Sequence, residues 1–244
     1  MRLVIERVKI LKIFLIGLSV LFATTHAYSA PLNTLETGLV RLVLPDLEDL
    51  QTNGAQIALA RDFESFYLKG SYVQLSGDIE GNFTTIDGSE SIKGKSTFNF
   101  DIDFIEFGIG KKFTLSDTSY LDLQGYVTRV YLDITGYEHY VQTLNDGTTH
   151  VVYDGAYSEK DTADLITLEV NYRAYFNDVY LEFGLGATSE ASNDIKRLQK
   201  EGGDTSTLLS LELGYDITSS WGANVRYQKT DEYNAVSGNL SYRF

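Results

Sequence analysis

The amino-acid sequence predicts an all-β protein whose strands form a closed antiparallel transmembrane β-barrel. Alternating apolar and polar residues recur in segments of about ten residues, the length that crosses a bilayer as a tilted strand. Short and long connections alternate between these segments, and the chain ends in an alternating strand whose last residue is Phe244. Because unpaired backbone groups are costly in hydrocarbon, a sheet that spans a membrane has to close.

The first 27 residues have the layout of a cleavable signal peptide. Four basic residues precede the apolar run 13–23, and small residues follow it. The run is too short for a spanning helix, which needs about 20 apolar residues. Cleavage is predicted after Ala27 or Ser29. Residues 28–244 are then expected to form a single barrel domain.

Composition narrows the class of protein. The chain has no cysteine, which excludes disulfides and a lipid-acceptor cysteine, and its two prolines, Pro31 and Pro45, precede the main strand array. The whole-chain charge is −14, and loss of residues 1–27, which carry a net charge of +3, leaves −17. So acidic a chain is not expected to bind nucleic acid.

Ten strands are predicted. The alternation is clear in six segments: 119–133, 164–176, 179–188, 206–217, 221–229 and 235–244. It is less regular in four others: 36–44, 54–62, 66–76 and 98–112. Bacterial barrels have even strand numbers with both ends in the periplasm, so 36–44 is taken as the tenth strand. The alternative is eight strands, with 36–62 irregular or inside the pore.

The strand 98–112 changes phase at Phe104–Ile105. Below this point Ile105 and Phe107 are expected to face lipid, with Glu106 inward. Above it the apolar residues occupy the other face. Two explanations are open: a β-bulge, or a strand that continues above the membrane.

The connections predict which side of the barrel faces the cell exterior. Short turns are expected at 63–65, 114–118, 177–178 and 218–220, and long loops at 77–97, 134–163 and 189–205. Short periplasmic turns and long extracellular loops are typical of a membrane barrel. A soluble sandwich has no reason to separate the two kinds of connection.

The signal segment, the strand array and the C-terminal residues Leu240, Tyr242 and Phe244 resemble the small outer-membrane β-barrel proteins of Gram-negative bacteria. OmpA-type transmembrane barrels and ten-stranded relatives belong to this class. The resemblance implies localisation in the outer membrane, with its lipids and lipopolysaccharide as partners. It also implies that the barrel-assembly machinery reads the three C-terminal residues as an assembly signal. The glycine often found near that signal is displaced by one position, at Gly238.

The inner face of the predicted barrel carries charges of both signs. They are Lys69, Glu106, Asp122, Glu169, Arg173, Glu182, Glu212, Arg226 and Arg243. One interpretation is a polar lumen that filters small solutes or ions. The other is a network of ion pairs that plugs a narrow barrel, and it is favoured because small barrels are filled by side chains and buried charges need partners.

No catalytic, cofactor or metal site is predicted. The histidines His139 and His150 lie in the segment 134–163 among acidic residues, but no motif of a known enzymatic barrel accompanies them. Three functions remain open. A structural or surface-interaction role through the extracellular loops is favoured, and no ligand can be named. The alternatives are a porin-like channel for small solutes or ions, and a hydrolase at the barrel rim.

Overall fold

The computed structural model describes residues 33–43, 51–63, 66–87, 90–191, 205–230 and 233–244. The predicted signal peptide and its cleavage sites lie outside these residues. Ten antiparallel strands form a closed ring, which confirms ten strands over the alternative of eight. They are β1 (Thr34–Val43), β2 (Gln51–Phe63), β3 (Phe66–Asp87), β4 (Glu90–Ser116), β5 (Ser119–Thr143), β6 (Thr149–Phe176), β7 (Val179–Glu190), β8 (Thr205–Asp216), β9 (Trp221–Lys229) and β10 (Asn234–Arg243). The described residues contain no helix that is long and apolar enough to span a membrane.

The first and last strands close the ring. β1 pairs with β10 along its whole length, from Thr34 opposite Arg243 to Val43 opposite Asn234. Two further backbone hydrogen bonds of 3.1 and 3.0 Å join Asn33 and Phe244. Residues 36–43 of the predicted tenth strand therefore belong to a full strand of the barrel, and Leu44 lies outside the described residues.

The lower part of the barrel has an apolar outer face and a polar inner face. Alternate residues point to opposite sides of a strand, so the exposed apolar residues form a continuous belt. The belt includes Leu39, Ile57, Ile105, Phe107, Ile109, Leu123, Val127, Ile166, Leu168, Val170, Leu181, Phe183, Leu185, Leu209, Leu211, Leu213, Val225 and Leu240. Aromatic side chains flank its lower edge, with Phe63 stacked on Phe66 and Trp221 against Tyr242. This is the outer surface of a transmembrane barrel.

At one height along the barrel the outer face changes from apolar to polar, and the inner face changes from polar to apolar. Above the belt the outward residues are polar, as at Arg41, Asn53, Gln74, Asp101, Arg129 and Thr162. At the same height the inward residues become apolar, as at Leu42, Leu75, Phe104, Val130 and Leu165. A wall with apolar residues inside and polar residues outside is stable in water rather than in lipid. The upper part of the barrel therefore stands above the membrane.

The phase change at Phe104–Ile105 follows from this change of surroundings. Strand pairing is continuous there, with Phe104 opposite Val130 and Ile105 opposite Arg129. Among the described strands, register shifts occur at Thr114/Ser116 and at Tyr140/Val141. The expectation of a bulge at Phe104–Ile105 is therefore wrong. The strand continues straight, and what changes is the solvent on its outer side.

Four strands rise far above the others. β3 to β6 have 22, 27, 25 and 28 residues, whereas β7 to β10 have 12, 12, 9 and 10. Two segments predicted as loops, 77–97 and 134–163, are mostly paired strand in this elevated sheet. About 14 residues of β4 above Phe104 correspond to roughly 45 Å of strand. The third predicted loop, 189–205, lies almost entirely outside the described residues.

The position of the membrane boundary can be tested on β6. Leu168 lies in the belt, and Thr162 lies on the same face of the same strand above it. Leu168→Arg should lower the free energy of unfolding by about 2–4 kcal/mol, because it places a charge in hydrocarbon. Thr162→Arg should change it by less than about 0.5 kcal/mol. Urea unfolding of the barrel in lipid vesicles measures both, and equal losses would contradict the assigned boundary.

Candidate functional site: a filled lumen and an elevated sheet

Arg173 is the centre of the largest ion-pair group in the lumen. Its Nε lies 2.7 Å from Oε2 of Glu182, and its Nη2 lies 3.1 Å from Oε1 of Glu212. The guanidinium carbon stands 4.0 Å from the ring centroid of Tyr180, whose hydroxyl donates a 2.8 Å hydrogen bond to Glu212. Arg173 has no exposed surface. Its charge is thus held by two carboxylates and a ring rather than by water.

Two further ion pairs lie in the lumen, one between β9 and β6 and one between the neighbouring strands β3 and β4. Nη2 of Arg226 lies 2.9 Å from Oε1 of Glu169, and Nζ of Lys69 lies 2.9 Å from Oε1 of Glu106. Ser210 donates a 2.9 Å hydrogen bond to the same oxygen of Glu169. All four charged residues are at most 3% exposed. Opposite charges are therefore paired at the same depth.

The remaining two residues of the predicted set have partners that the sequence did not indicate. Asp122 accepts hydrogen bonds of 2.9 Å from Tyr67 and 3.0 Å from Gln124. Arg243, close to the C-terminus, pairs with Asp216 at 2.5 Å. The nine residues thus take part in several ion pairs and hydrogen bonds along the lumen. Alternation placed them on the inner face, but their partners depend on the register between strands.

Tyrosine rings occupy the space beside inward glycines. A Cβ added at Gly110 would collide with the ring of Tyr67, and one added at Gly214 would collide with the ring of Tyr180. These two rings carry the hydroxyls that bind Asp122 and Glu212. The glycines therefore matter for packing, since a flat ring fits only where a side chain is missing.

An apolar cluster lies inside the barrel above the charged groups. It is one contiguous cluster of Val40, Leu42, Val73, Leu75, Phe100, Ile102, Phe104, Val130, Leu132, Ile134, Ala163, Leu165, Tyr233 and Ala235. These side chains come from β1, from β3 to β6, and from β10 and the residue before it, and they pack together on the inner face. The lumen is consequently filled twice, by ion pairs in the lower part and by an apolar core above them.

Aromatic rings continue this inner face up the elevated sheet. Phe98 and Tyr157 make an edge contact at 5.8 Å between ring centroids. Higher up, Tyr140 contacts Phe83 at 5.2 Å and Tyr153 at 5.5 Å. The rings form two rows across β3 to β6, a lower row and an upper row. The rows are not evident from the sequence, because Phe83, Tyr140, Tyr153 and Tyr157 lie in segments predicted as loops.

A carboxylate lies between the two aromatic rows. Glu138 is opposite Ser96 on β4 and Gly155 on β6. Burial, and then the adjacent Glu138 carboxylate, raises the pKa of Tyr140. Burial, a hydrogen bond to Glu159 and the charges of Glu159 and Glu138 raise the pKa of Tyr157. The inner face of the elevated sheet therefore combines aromatic surface with negative charge.

The two histidines lie on the elevated strands rather than in a loop. Nδ1 of His139 is 3.4 Å from Oδ1 of Asp154, and both side chains are at least 40% exposed. The carboxylate of Asp154 also accepts a hydrogen bond from Tyr137. His150 pairs with Gln142 near the tip. Within the described residues no cluster of three or more His, Asp or Glu could hold a metal ion.

The C-terminal residues Leu240, Tyr242 and Phe244 lie side by side on the outer face. All three are exposed, at the end of the barrel where the short turns lie. Tyr242 and Phe244 are stacked, with 5.9 Å between ring centroids. The three side chains therefore form a continuous apolar edge along the last strand.

Comparison with known proteins identifies the fold. No protein-family model and no curated protein matches the sequence. Among solved structures, the outer-membrane protease OmpT of Escherichia coli is 12% identical with a TM-score of 0.56, over 90% of this chain and 99% of that one. The chain has the fold of an outer-membrane β-barrel. The apolar belt and this fold place the protein in the outer membrane.

Two other outer-membrane barrels are more distant in shape. The NanC porin is 8% identical with a TM-score of 0.45, over 86% of this chain and 100% of that one. The attachment invasion locus protein Ail of Yersinia pestis is 10% identical with a TM-score of 0.36, over 88% of this chain and 100% of that one. These neighbours are a protease, a porin and an attachment protein. A likeness at 12% identity shows the fold and does not decide the role of this barrel.

The buried ion pair of Arg226 can be tested for its contribution to stability. Arg226→Ala should lower the free energy of unfolding by about 3–5 kcal/mol, because it leaves Glu169 charged and without its cation. The double variant Arg226→Leu, Glu169→Leu should lose less, since it removes both charges. The exposed pair Arg129–Asp164 is the control, and Arg129→Ala should cost about 0–1 kcal/mol. Equal effects of the two alanine variants would indicate a water-filled lumen.

The glycine that accommodates Tyr180 gives a second test. Gly214→Ala should lower the free energy of unfolding by about 1–3 kcal/mol, because the added methyl group overpacks the lumen. Gly238 faces outward, and a Cβ added there meets no atom within 4 Å. Gly238→Ala should therefore change stability by less than about 0.5 kcal/mol. Unfolding in guanidinium chloride measures the free energy of unfolding of both variants. Equal values for the two variants would argue against a packed lumen.

Proposed function

We propose that this protein is a non-conducting outer-membrane barrel that acts through its elevated sheet as a surface-interaction protein. The observation that carries the proposal is the doubly filled lumen beneath a four-stranded sheet that rises above the membrane. The barrel anchors and orients the sheet, and the sheet presents its aromatic and acidic face to the outside. Partners are expected to bind to this face rather than to pass through the barrel.

The filled lumen argues against the channel alternative. A conducting pore needs a continuous path of water along its wall. Here the wall residues Arg173, Glu182 and Glu212 pair with one another, and the apolar cluster lies above them. An ion would have to break the ion pairs and then cross an apolar layer. Both steps are costly.

The exposure of the histidine pair argues against the hydrolase alternative. A catalytic His–Asp pair is normally held in a shielded site where its protonation state and orientation are fixed. His139 and Asp154 instead lie on the outer face of the elevated sheet, open to solvent. The protein is therefore proposed to have no enzymatic activity, and no cofactor is proposed.

The expected partners in the cell envelope follow from the outer surface. The apolar belt would contact the lipids of the outer membrane, and the polar ring above it would contact lipopolysaccharide. Leu240, Tyr242 and Phe244 remain the proposed signal for the barrel-assembly machinery. Their exposure along the edge of the final strand supports that role, since an assembly factor could reach them before the barrel closes.

The proposal predicts that the tip of the elevated sheet is outside the cell. The chain has no cysteine, so a single introduced thiol can be labelled without background. Val152 at the tip and Leu115 at the opposite end are matched sites, apolar and 51% and 55% exposed. A membrane-impermeant maleimide should label V152C but not L115C on intact cells, and both after lysis. Labelling of L115C alone on intact cells would refute this orientation.

The same proposal predicts that the folded barrel does not conduct ions. Wild-type protein inserted into a planar bilayer should give no steps of constant size. Heat-modifiable migration on a gel confirms that the protein used is a folded barrel. Reproducible single-channel steps from such a sample would overturn the proposal in favour of a channel.

A further inference from the structure

We propose that the inner face of the elevated sheet binds an organic cation, a guanidinium or alkylammonium group, at Glu138. This inference rests on the proposed function, because it requires the sheet to face the outside of the cell. It adds the chemical class of the ligand. The site consists of Glu138 and the aromatic rows above and below it.

The strand registers place Glu138 in a row of small residues. Gly81, Ser96, Glu138 and Gly155 lie side by side across β3 to β6. Glu138 is the one long side chain of this row. The carboxylate therefore has only small residues beside it in this strip of the sheet, with the ring of Tyr153 over Gly155 and the hydroxyl of Ser96 beside Gly81.

Aromatic residues border the strip on both sides. The upper row has Phe83, Tyr140 and Tyr153 around the glycine position Gly94, and the lower row has Phe98 and Tyr157. Phe83 and Tyr153 are 41% and 39% exposed, so their faces are open to the exterior. A cation placed beside a carboxylate and over such rings gains from both the charge and the ring quadrupoles.

Two buried polar groups at the strip are incompletely hydrogen-bonded by the described residues. Glu138 is 6% exposed and Tyr140 is 8% exposed, and the Tyr140 hydroxyl lies beside the Glu138 carboxylate. Neither Oε1 of Glu138 nor that hydroxyl makes a hydrogen bond of normal geometry within the described residues. Such groups are costly to leave unsatisfied in a folded protein. A ligand with several N–H donors would satisfy the carboxylate oxygen. An ammonium or guanidinium group has these donors in a compact head.

The charges of the elevated sheet are segregated between its two faces. Lys95 and Lys160 lie on the outer face, where they pair with Glu80 and Asp133. The inner face of the described sheet above the belt carries Glu138, Glu159 and Asp161 and has no lysine or arginine. The electrostatic potential of the strip is therefore negative, which favours a cation over a neutral sugar as the occupant.

Calorimetry on the refolded full barrel tests the site with two cationic probes and one neutral probe. Spermidine carries the alkylammonium group and triarginine the guanidinium group, so the two together show which head group is preferred. Maltotriose is the neutral probe that aromatic surface alone could bind. We expect at least one cation to bind and maltotriose not to bind.

Matched substitutions separate the site from the general acidity of the chain. E138Q should weaken cation binding by about tenfold or more, because it removes a charge-assisted hydrogen bond. E80Q removes the same charge from the outer face of the sheet and should change binding by less than about twofold. Y140L should also weaken binding, whereas Y137L on the outer face should not. Heat-modifiable migration shows that each variant is folded.

Each result decides the proposal. Equal loss in E138Q and E80Q, maltotriose binding that survives in E138Q, or no binding of either cation by folded wild-type protein would overturn it. If V152C is labelled on cells and no cation binds, the cation site is wrong and the proposed surface role stands. If V152C is not labelled on intact cells, both the cation site and the proposed function are wrong.

Discussion

The structure depends on one constraint: every backbone amide and carbonyl in the hydrocarbon layer needs a hydrogen-bond partner inside the protein. The pairing of β1 with β10 meets it by joining the first described strand to the last. Ring closure fixes the strand number at an even value and gives the wall two distinct faces. The narrow interior then has to be filled by side chains. The ion pairs of Arg173 and Arg226 and the rings of Tyr67 and Tyr180 follow from that requirement.

A single strand such as β4 passes through two solvents. In its lower part the outer residues meet lipid, so Ile105 faces out and Glu106 faces in. In its upper part the outer residues meet water, so Asp103 faces out and Phe104 faces in. The backbone geometry is the same in both parts. At the membrane boundary the medium outside the strand changes from lipid to water. The apolar residues therefore change from the outer to the inner face of the strand.

The sequence predicts strands less well where the medium around them changes from lipid to water. Alternation against lipid is clear because one face must be apolar, so the sequence alone predicts the lower strands and an inner face for the charged residues. The segments 77–97 and 134–163 are predicted as loops, because glycine, serine, threonine and aspartate are frequent in them. A strand with water on both faces resembles a loop in composition. The partners of Asp122 and Arg243 were missed because pairing between strands depends on register, which one sequence does not reveal.

The elevated sheet is held by different forces from the barrel below it. Among the described residues, β2 ends its pairing with β3 at Ser76 and β7 ends its pairing with β6 at Leu165, so these two strands do not extend along the sheet above. Unpaired strand edges cost little free energy in water, because their backbone N–H and C=O groups can form hydrogen bonds with solvent. Cohesion then comes from hairpin pairing and from the aromatic contacts of Phe98 with Tyr157 and of Phe83 with Tyr140. Rings that stabilise an open sheet also remain accessible. The release from ring closure therefore leaves aromatic surface exposed here, whereas the aromatic rings of Tyr67 and Tyr180 in the barrel beneath are buried in its lumen.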